Sequence, residues 1–400
     1  MTIGSPLGKL ADTFEMSRLR KLLPMNRTPR RTRLRLLAGV TGAVALSLLA
    51  GACSSSSSSS SSSTATTTPS SSTSTTAPAS VAASTSAAPV PLVVYSAQGY
   101  DSAMTKAFTA ATGIPVSLDD NSTGPLLTQI EASKNNPKWG LLWVDGATAF
   151  AGLDTQGLLL KGWEPNVSWN SLGAQSVPAD KSYVPTGVTL MGIVAYNKQK
   201  VSSPPKTWQA LESSAWKGQV GMNDPSQSGP TFPLIAGVMN YLGGVSAGET
   251  YFSTLKSNGL VINPTNGPTL QALTAGRINL ALVQSSAAIG ATFTDKNIGL
   301  EYLDPATLLP SALGIDAKAS PQVQAEAEKF IEFVLSAAGQ HVMQTGDPTG
   351  DSLYYPVLSG VNPLPALPSL SSVKTQTINP YTWGPQEGTI NTWFDSNIVR

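Results

Sequence analysis

Residues 91–119, PLVVYSAQGYDSAMTKAFTAATGIPVSLD, change period twice. The run at 91–96 reads as a buried strand, 102–112 as a helix and 114–119 as a second strand. The alternation continues outward, with a helix pattern at 124–133, a strand at 141–144 and a helix at 147–156. Strands joined by helical crossovers favour parallel pairing with helices on both faces. An α/β fold of mixed, mostly parallel sheets flanked by helices is therefore expected.

Further along, YVPTGVTLMGIVAYN at 183–197 is extended chain broken at Pro185 and Gly192, suited to a crossing between two lobes. Helices follow at 207–213 and 231–242, another after Ser246, and one from near Pro268; strands fall at 219–222, near 260–263 and at 280–284. After Asp304 the chain is expected to re-enter the first lobe. The longest helical pattern is 321–344, with Ser320 as N-cap and Pro321 in the first helical position.

Composition limits the chemistry. The chain has 400 residues, 41% of them hydrophobic and 12% charged, a length suited to two lobes. One cysteine and one histidine exclude an internal disulfide and a Cys/His zinc site, and no metal or cofactor is expected. Nine of the 25 basic residues precede residue 36, opposed there only by Asp12 and Glu15 of the 24 acidic residues. The rest of the chain then holds 16 basic and 22 acidic residues, a net of −6, which removes the main support for a nucleic-acid partner.

The basic start leads into an uncharged apolar run, LLAGVTGAVALSLLAGA at 36–52, and then Cys53. This is the layout of a secretory signal. Leu49-Ala50-Gly51-Ala52-Cys53 resembles the bacterial lipoprotein signal, which implies cleavage after residue 52 and a lipid anchor on Cys53, with Ala50 departing from the preferred leucine. Ten serines, Ser54 to Ser63, and Ser/Thr/Ala/Pro sequence to about residue 88 carry no charge and no aromatic group. Such a stretch cannot bury enough apolar surface to order itself, so a flexible tether is expected at 53–88.

The body resembles the substrate-binding proteins of ABC importers, of the two-lobed periplasmic-binding-protein class, type II, in the group that includes ferric-iron, thiamine and aminophosphonate binders. Four stretches carry the resemblance: Val93-Val94-Tyr95-Ser96-Ala97-Gln98; Pro205-Lys206-Thr207-Trp208 through Trp216-Lys217-Gly218-Gln219-Val220-Gly221-Met222; Asp224-Pro225-Ser226-Gln227-Ser228-Gly229; and Phe330-Ile331-Glu332-Phe333-Val334-Leu335-Ser336-Ala337-Ala338-Gly339-Gln340. It implies one lobe from 89–187 with 310–400, a second from 188–309, a solute held in the cleft between them, a membrane permease as partner, and a monomer on the outer face of the cell membrane. A ligand sensor or surface interaction protein without transport shares the same fold.

In such a protein the ligand sits where strand ends lead into helix N-termini. By position the candidates are Ser96, Gln98 and Tyr100; Ser122 and Thr123; Trp143 and Asp145; Asp224, Ser226, Ser228, Gly229 and Thr231; Asn266; and Gln284 and Ser285. Helix capping explains Ser122, Thr123, Ser228 and Thr231 equally well, core packing Trp143, and turn initiation Asp224. Ferric members of the family use adjacent tyrosines and often a histidine after the first strand. Here Gly99 stands at the histidine position and Ser285-Ser286-Ala287 in the tyrosine region, so an organic amine, zwitterion or anion, thiamine-like or aminophosphonate-like, is expected rather than directly ligated iron.

Gly244-Val245-Ser246-Ala247-Gly248 matches the G-x-S-x-G pattern of hydrolases. That elbow needs a preceding strand, whereas 232–242 has helical spacing and ends in Gly243-Gly244. Ser246 and Glu249 read instead as a capping box, and His341 as a partly exposed histidine in the last long helix. No enzymatic activity is expected.

Overall fold

The apolar run that opens the body forms β1 (Leu92–Ser96) in a computed structural model that describes residues 89–400. The expected signal, Cys53 and the serine tether lie outside the described residues. After β1 come α1 (Asp101–Thr112), β2 (Val116–Asp120), α2 (Thr123–Ser133), β3 (Leu141–Asp145) and α3 (Ala147–Thr155), in the expected alternation. A short α4 (Ser171–Ser176) leads into the long β4 (Val184–Asn197). Then follow α5 (Trp208–Leu211), β5 (Val220–Asn223), α6 (Thr231–Leu242), α7 (Val245–Ser257), β6 (Val261–Asn263), α8 (Asn266–Thr274), β7 (Leu280–Val283), α9 (Ser285–Thr294) and the second long strand, β8 (Ile298–Ile315). The chain closes with α10 (Pro321–Val334), α11 (Ala337–Thr345) and a tail carrying β9 (Thr375–Gln376), α12 (Pro380–Trp383) and α13 (Glu387–Phe394).

The strands form one mixed sheet in the order β2-β1-β3-β8-β4-β7-β5-β6, with β9 beside β8. One flank, β2-β1-β3, is parallel, and so is the other, β7-β5-β6. The antiparallel pair β4 and β8 joins them. Register locates the breaks expected at Pro185 and Gly192: the β4–β8 pairing shifts between Pro185 and Gly187 and again between Met191 and Ile193. Gly192 has a φ of 95°, and a Cβ there would stand 2.8 Å from the Trp208 ring, so only glycine fits.

Two local expectations are corrected. The pattern at 321–344 is two helices: Ser320 caps α10 by accepting from the Val323 amide at 3.3 Å, but Ser336 then caps α11, accepting from Gly339 at 3.2 Å. His341 is accordingly an exposed residue of the shorter α11. Ser246 is no capping residue either. The chain passes through Gly243 (φ 96°) and Gly244 (φ 138°) straight into α7, which has Gly244 at its N-cap and Ser246 inside its first turn. Helix α6 precedes that glycine pair, so the strand a nucleophile elbow requires is not there.

Packing runs through aromatic edges. Phe330 of α10 meets Phe108 of α1 with centroids 5.0 Å apart and Trp143 of β3 at 5.9 Å, and Trp143 meets Tyr100 at 5.2 Å, all close to perpendicular. Such pairs add about 0.5–1.5 kcal/mol each beyond the area they bury. A second cluster forms around Trp208, Phe232 and Phe252, and the tail residues Trp383, Ile390, Phe394 and Ile398 pack into it. Phe330→Ala is expected to lower unfolding stability by about 3–5 kcal/mol in urea titrations, because it opens a cavity beneath Trp143.

Candidate functional site

The register of the long strands decides where loops meet. Along β3 the partners on β8 run from Ile315 down to Ser311, toward the middle of that strand. Along β7 the partners on β4 run from Tyr196 down to Ile193, again toward the middle. The carboxyl ends of the two parallel flanks therefore point at each other across the centre of β4 and β8. The loops after β1, β2 and β3 face those after β5 and β7.

At that meeting point lies Asp145, the last residue of β3, buried at 5% exposure. Its Oδ1 accepts from Gln98 Nε2 at 3.0 Å. Its Oδ2 accepts from Gln284 Nε2 at 3.0 Å and from the Tyr354 hydroxyl at 2.7 Å, and Gln284 also donates to the Tyr354 oxygen at 2.7 Å. Burial raises the Asp145 carboxyl above its ordinary range, and the bonds from Tyr354, Gln98 and Gln284 pull it back. Burial and then Asp145 push Tyr354 well above the usual phenol value, which keeps it a donor. Three side chains from three separate stretches are thus tied to one carboxylate.

A second carboxylate stands beside the first. Asp351 accepts from the Gly99 amide at 2.8 Å, and its other oxygen lies 3.4 Å from the Ser286 hydroxyl. Its backbone amide is held by Asp347 at 2.8 Å. Burial, and next the Asp145 charge, push the Asp351 carboxyl up to about 7. Tyr100, at the N-cap of α1, is raised by burial and by both Asp351 and Asp145. Its hydroxyl lies beside Thr186 without a regular hydrogen bond, while the Thr186 oxygen accepts from Trp143 Nε1 at 3.3 Å and donates to Ser311 at 3.1 Å. The Oε1 of Gln98 is likewise buried and without a donor. Asp101, in the first turn of α1, is pushed up to about 6, mainly by burial.

Not every expected residue joins this cluster. Gln98, Tyr100, Asp145 and Gln284 do, while Trp143 is core, edge-on to Phe330 as well as Tyr100. Ser96 accepts from the Gln98 amide at 3.2 Å and shapes the loop. Ser285 is engaged by Thr189 at 2.6 Å and by the Leu190 amide at 3.1 Å, so it ties α9 to β4. Thr123 packs against Gly229, the Gly124 amide reaches the Gln227 carbonyl at 3.4 Å, and the Ser226 carbonyl crowds Gly124. Those contacts close the rim. Ser228 and Asn266 both accept from Asn223 Nδ2, at 3.3 and 2.7 Å, in a separate network. Asp224 accepts from the Ser226 amide at 2.8 Å and is a turn residue. Ser122 sits at the N-cap of α2 and Thr231 opens α6; neither side chain caps its helix, and the Thr231 hydroxyl is buried without a partner.

Sequence reasoning missed Asp351 and Tyr354. They lie in a turn-rich stretch, GDPTGDSLYYP, that neither follows a strand nor opens a helix. An uninterrupted Tyr354-Tyr355 pair beside two aspartates was the available signal. Tyr355 itself points elsewhere, donating to the Pro368 carbonyl at 2.8 Å.

With this geometry, similarity to known proteins becomes informative. Residues 103–372 match the family model described as bacterial extracellular solute-binding protein. An Fe(3+)-binding periplasmic protein of Serratia marcescens is 27% identical over 286 residues, spanning 64% of this chain and 77% of the relative. A Salmonella paratyphi A periplasmic protein named for 2-aminoethylphosphonate binding is 22% identical over 243 residues, spanning 58% and 68%. Among solved structures, a periplasmic thiamin binding protein superposes with a TM-score of 0.62 at 19% identity, covering 78% of this chain and 97% of its own. The fold is the type II periplasmic-binding-protein fold expected from the sequence, and the chain belongs to the bacterial extracellular solute-binding protein family.

Proposed function

We propose that this protein is the exported, lipid-anchored solute receptor of an ABC importer and that its solute is a small organic amine or zwitterion, thiamine-like or aminophosphonate-like. The observation that carries the ligand class is the carboxylate pair of buried Asp145 and half-buried Asp351, with unpartnered acceptors at Gln98 Oε1 and the Tyr100 oxygen beside it. No lysine or arginine is among these groups. An ammonium group supplies the donors they lack and the charge that offsets Asp351. For a zwitterion, the Thr231 hydroxyl at the start of α6 offers a donor to the anionic end; Pro233 of that turn packs on Gly146, next to Asp145.

Direct iron ligation is disfavoured by what the candidate ligands already do. Both oxygens of Asp145 hold amide or phenol donors, and Ser285 is bonded to β4. The lobes, 89–187 with 310–400 and 188–309, the end of the tail being packed on α7 of the second, would rock about the centre of β4 and β8, so that solute selects the closed arrangement for a membrane permease.

In a thermal-shift series on the full chain, thiamine, 2-aminoethylphosphonate or a polyamine is expected to raise the midpoint by several degrees at 100 times its dissociation constant, a stabilisation of about 2.7 kcal/mol. Asp351→Asn should weaken that binding at least ten-fold, and a response to ferric citrate alone would overturn the ligand class. Because the fold raises Asp351 to about 7 from an ordinary value near ~4, the ligand-free protein loses stability as pH rises through 7, and a bound ammonium expels the proton. Calorimetry in buffers of different ionisation enthalpy should therefore show proton release between about pH 4 and 7, absent in Asp351→Asn. Intact mass of the native protein should correspond to a chain starting at an acylated Cys53.

A further inference from the structure

The family match ends at residue 372, and the tail beyond it closes one wall of a cavity whose other walls, the rim residues Thr123, Ser226 and Gly229 among them, lie within the match. The tail backbone crosses α3 where two glycines allow close approach: a Cβ at Gly152 would stand 3.4 Å from the Gly384 carbonyl oxygen. Beyond the crossing, Phe394 of α13 is seated on Phe252 of α7, with centroids 5.3 Å apart. Held at both ends, α13 turns Glu387 and Asn391, four residues apart on one face, into a cavity of about 800 Å³. The facing walls come from α2, α3 and the loop after β5, and include Leu127, Leu153 and Pro225.

Both polar groups on that face lack partners. The Asn391 Oδ1 is buried and meets no donor. The Glu387 carboxyl, half-buried on the cavity wall, takes no hydrogen bond or ion pair among the described residues, and partial desolvation pushes it up, to about 8. Glu131 is the other titratable group on the wall, and it is paired with Lys134; lysine and arginine are absent from the lining. Two acceptors without donors, one of them a carboxyl, set against apolar walls fit an ammonium group on a short carbon body. The acceptors take its N–H groups and the walls cover its methylenes. A hydrated metal ion would leave those walls uncovered.

We infer that the tail forms a second, acidic site, on Glu387 and Asn391, for a small organic ammonium ion, separate from the Asp145 cluster and independent of what that cluster binds. The test is calorimetric titration of the full chain with ethanolammonium chloride in an Asp351→Asn background, which weakens the first cluster so that dependence on Glu387 reports the second. Binding is expected there, weakened at least ten-fold by Glu387→Gln and abolished by Gly388→Phe. Gly388 has open space where its Cβ would lie, so the phenylalanine fills the cavity and not the core. Thermal midpoints of the variants check that folding is kept. Absence of binding, binding unchanged by Glu387→Gln, or a response to calcium chloride in place of ethanolammonium would overturn the assignment.

Discussion

A single buried carboxylate organises the centre of this molecule. Removing Asp145 from water costs several kcal/mol, and the fold meets that cost by bringing amide or phenol donors from three other stretches to its two oxygens. Gln98 follows β1, Gln284 precedes α9 and Tyr354 lies past α11, so the carboxylate locks together chain segments that share no sheet pairing at that point. Neighbouring Asp351 has weaker compensation, a backbone amide and one long hydroxyl contact, and its raised carboxyl is the consequence. One acidic group is structural and satisfied; the other is poised to respond to a charge.

That arrangement exists because β4 and β8 are long and antiparallel. Two parallel flanks attached to opposite ends of such a pair must present their carboxyl ends to one another. Helix N-termini and strand-end loops from both flanks then share one space, which suits polar solutes without any single motif encoding it. The aromatic chain Phe330, Trp143, Tyr100 carries the packing of the long helices up to that space, so the position of the Tyr100 hydroxyl depends on the core below it.

Much of this was legible beforehand. The β1-α1-β2 alternation, the boundaries of α6 and the breaks in β4 follow from local rules: β-branched runs, αL glycines after helices, and a proline and a glycine where pairing shifts. Gln98, Asp145 and Gln284 are legible because they lie at strand ends or within two residues of them. Asp351 and Tyr354 are not, since they sit in a loop whose route back to the strand ends is a matter of tertiary path. Ser285 and Trp143 had the right positions, but their side chains turn to β4 and to the core.

By itself, then, the sequence determined the periodicity of each element, the layered α/β class, the family signature in four stretches, and which chemistry was out of reach for a chain with one cysteine and one histidine. Local spacing and composition suffice for these, because they depend on neighbours within a few residues. The tertiary structure alone decided which polar groups share a site and which are already satisfied. It also decided that the tail walls a cavity against α2, α3 and the loop after β5, because hydrogen-bond saturation and burial arise when residues hundreds of positions apart meet.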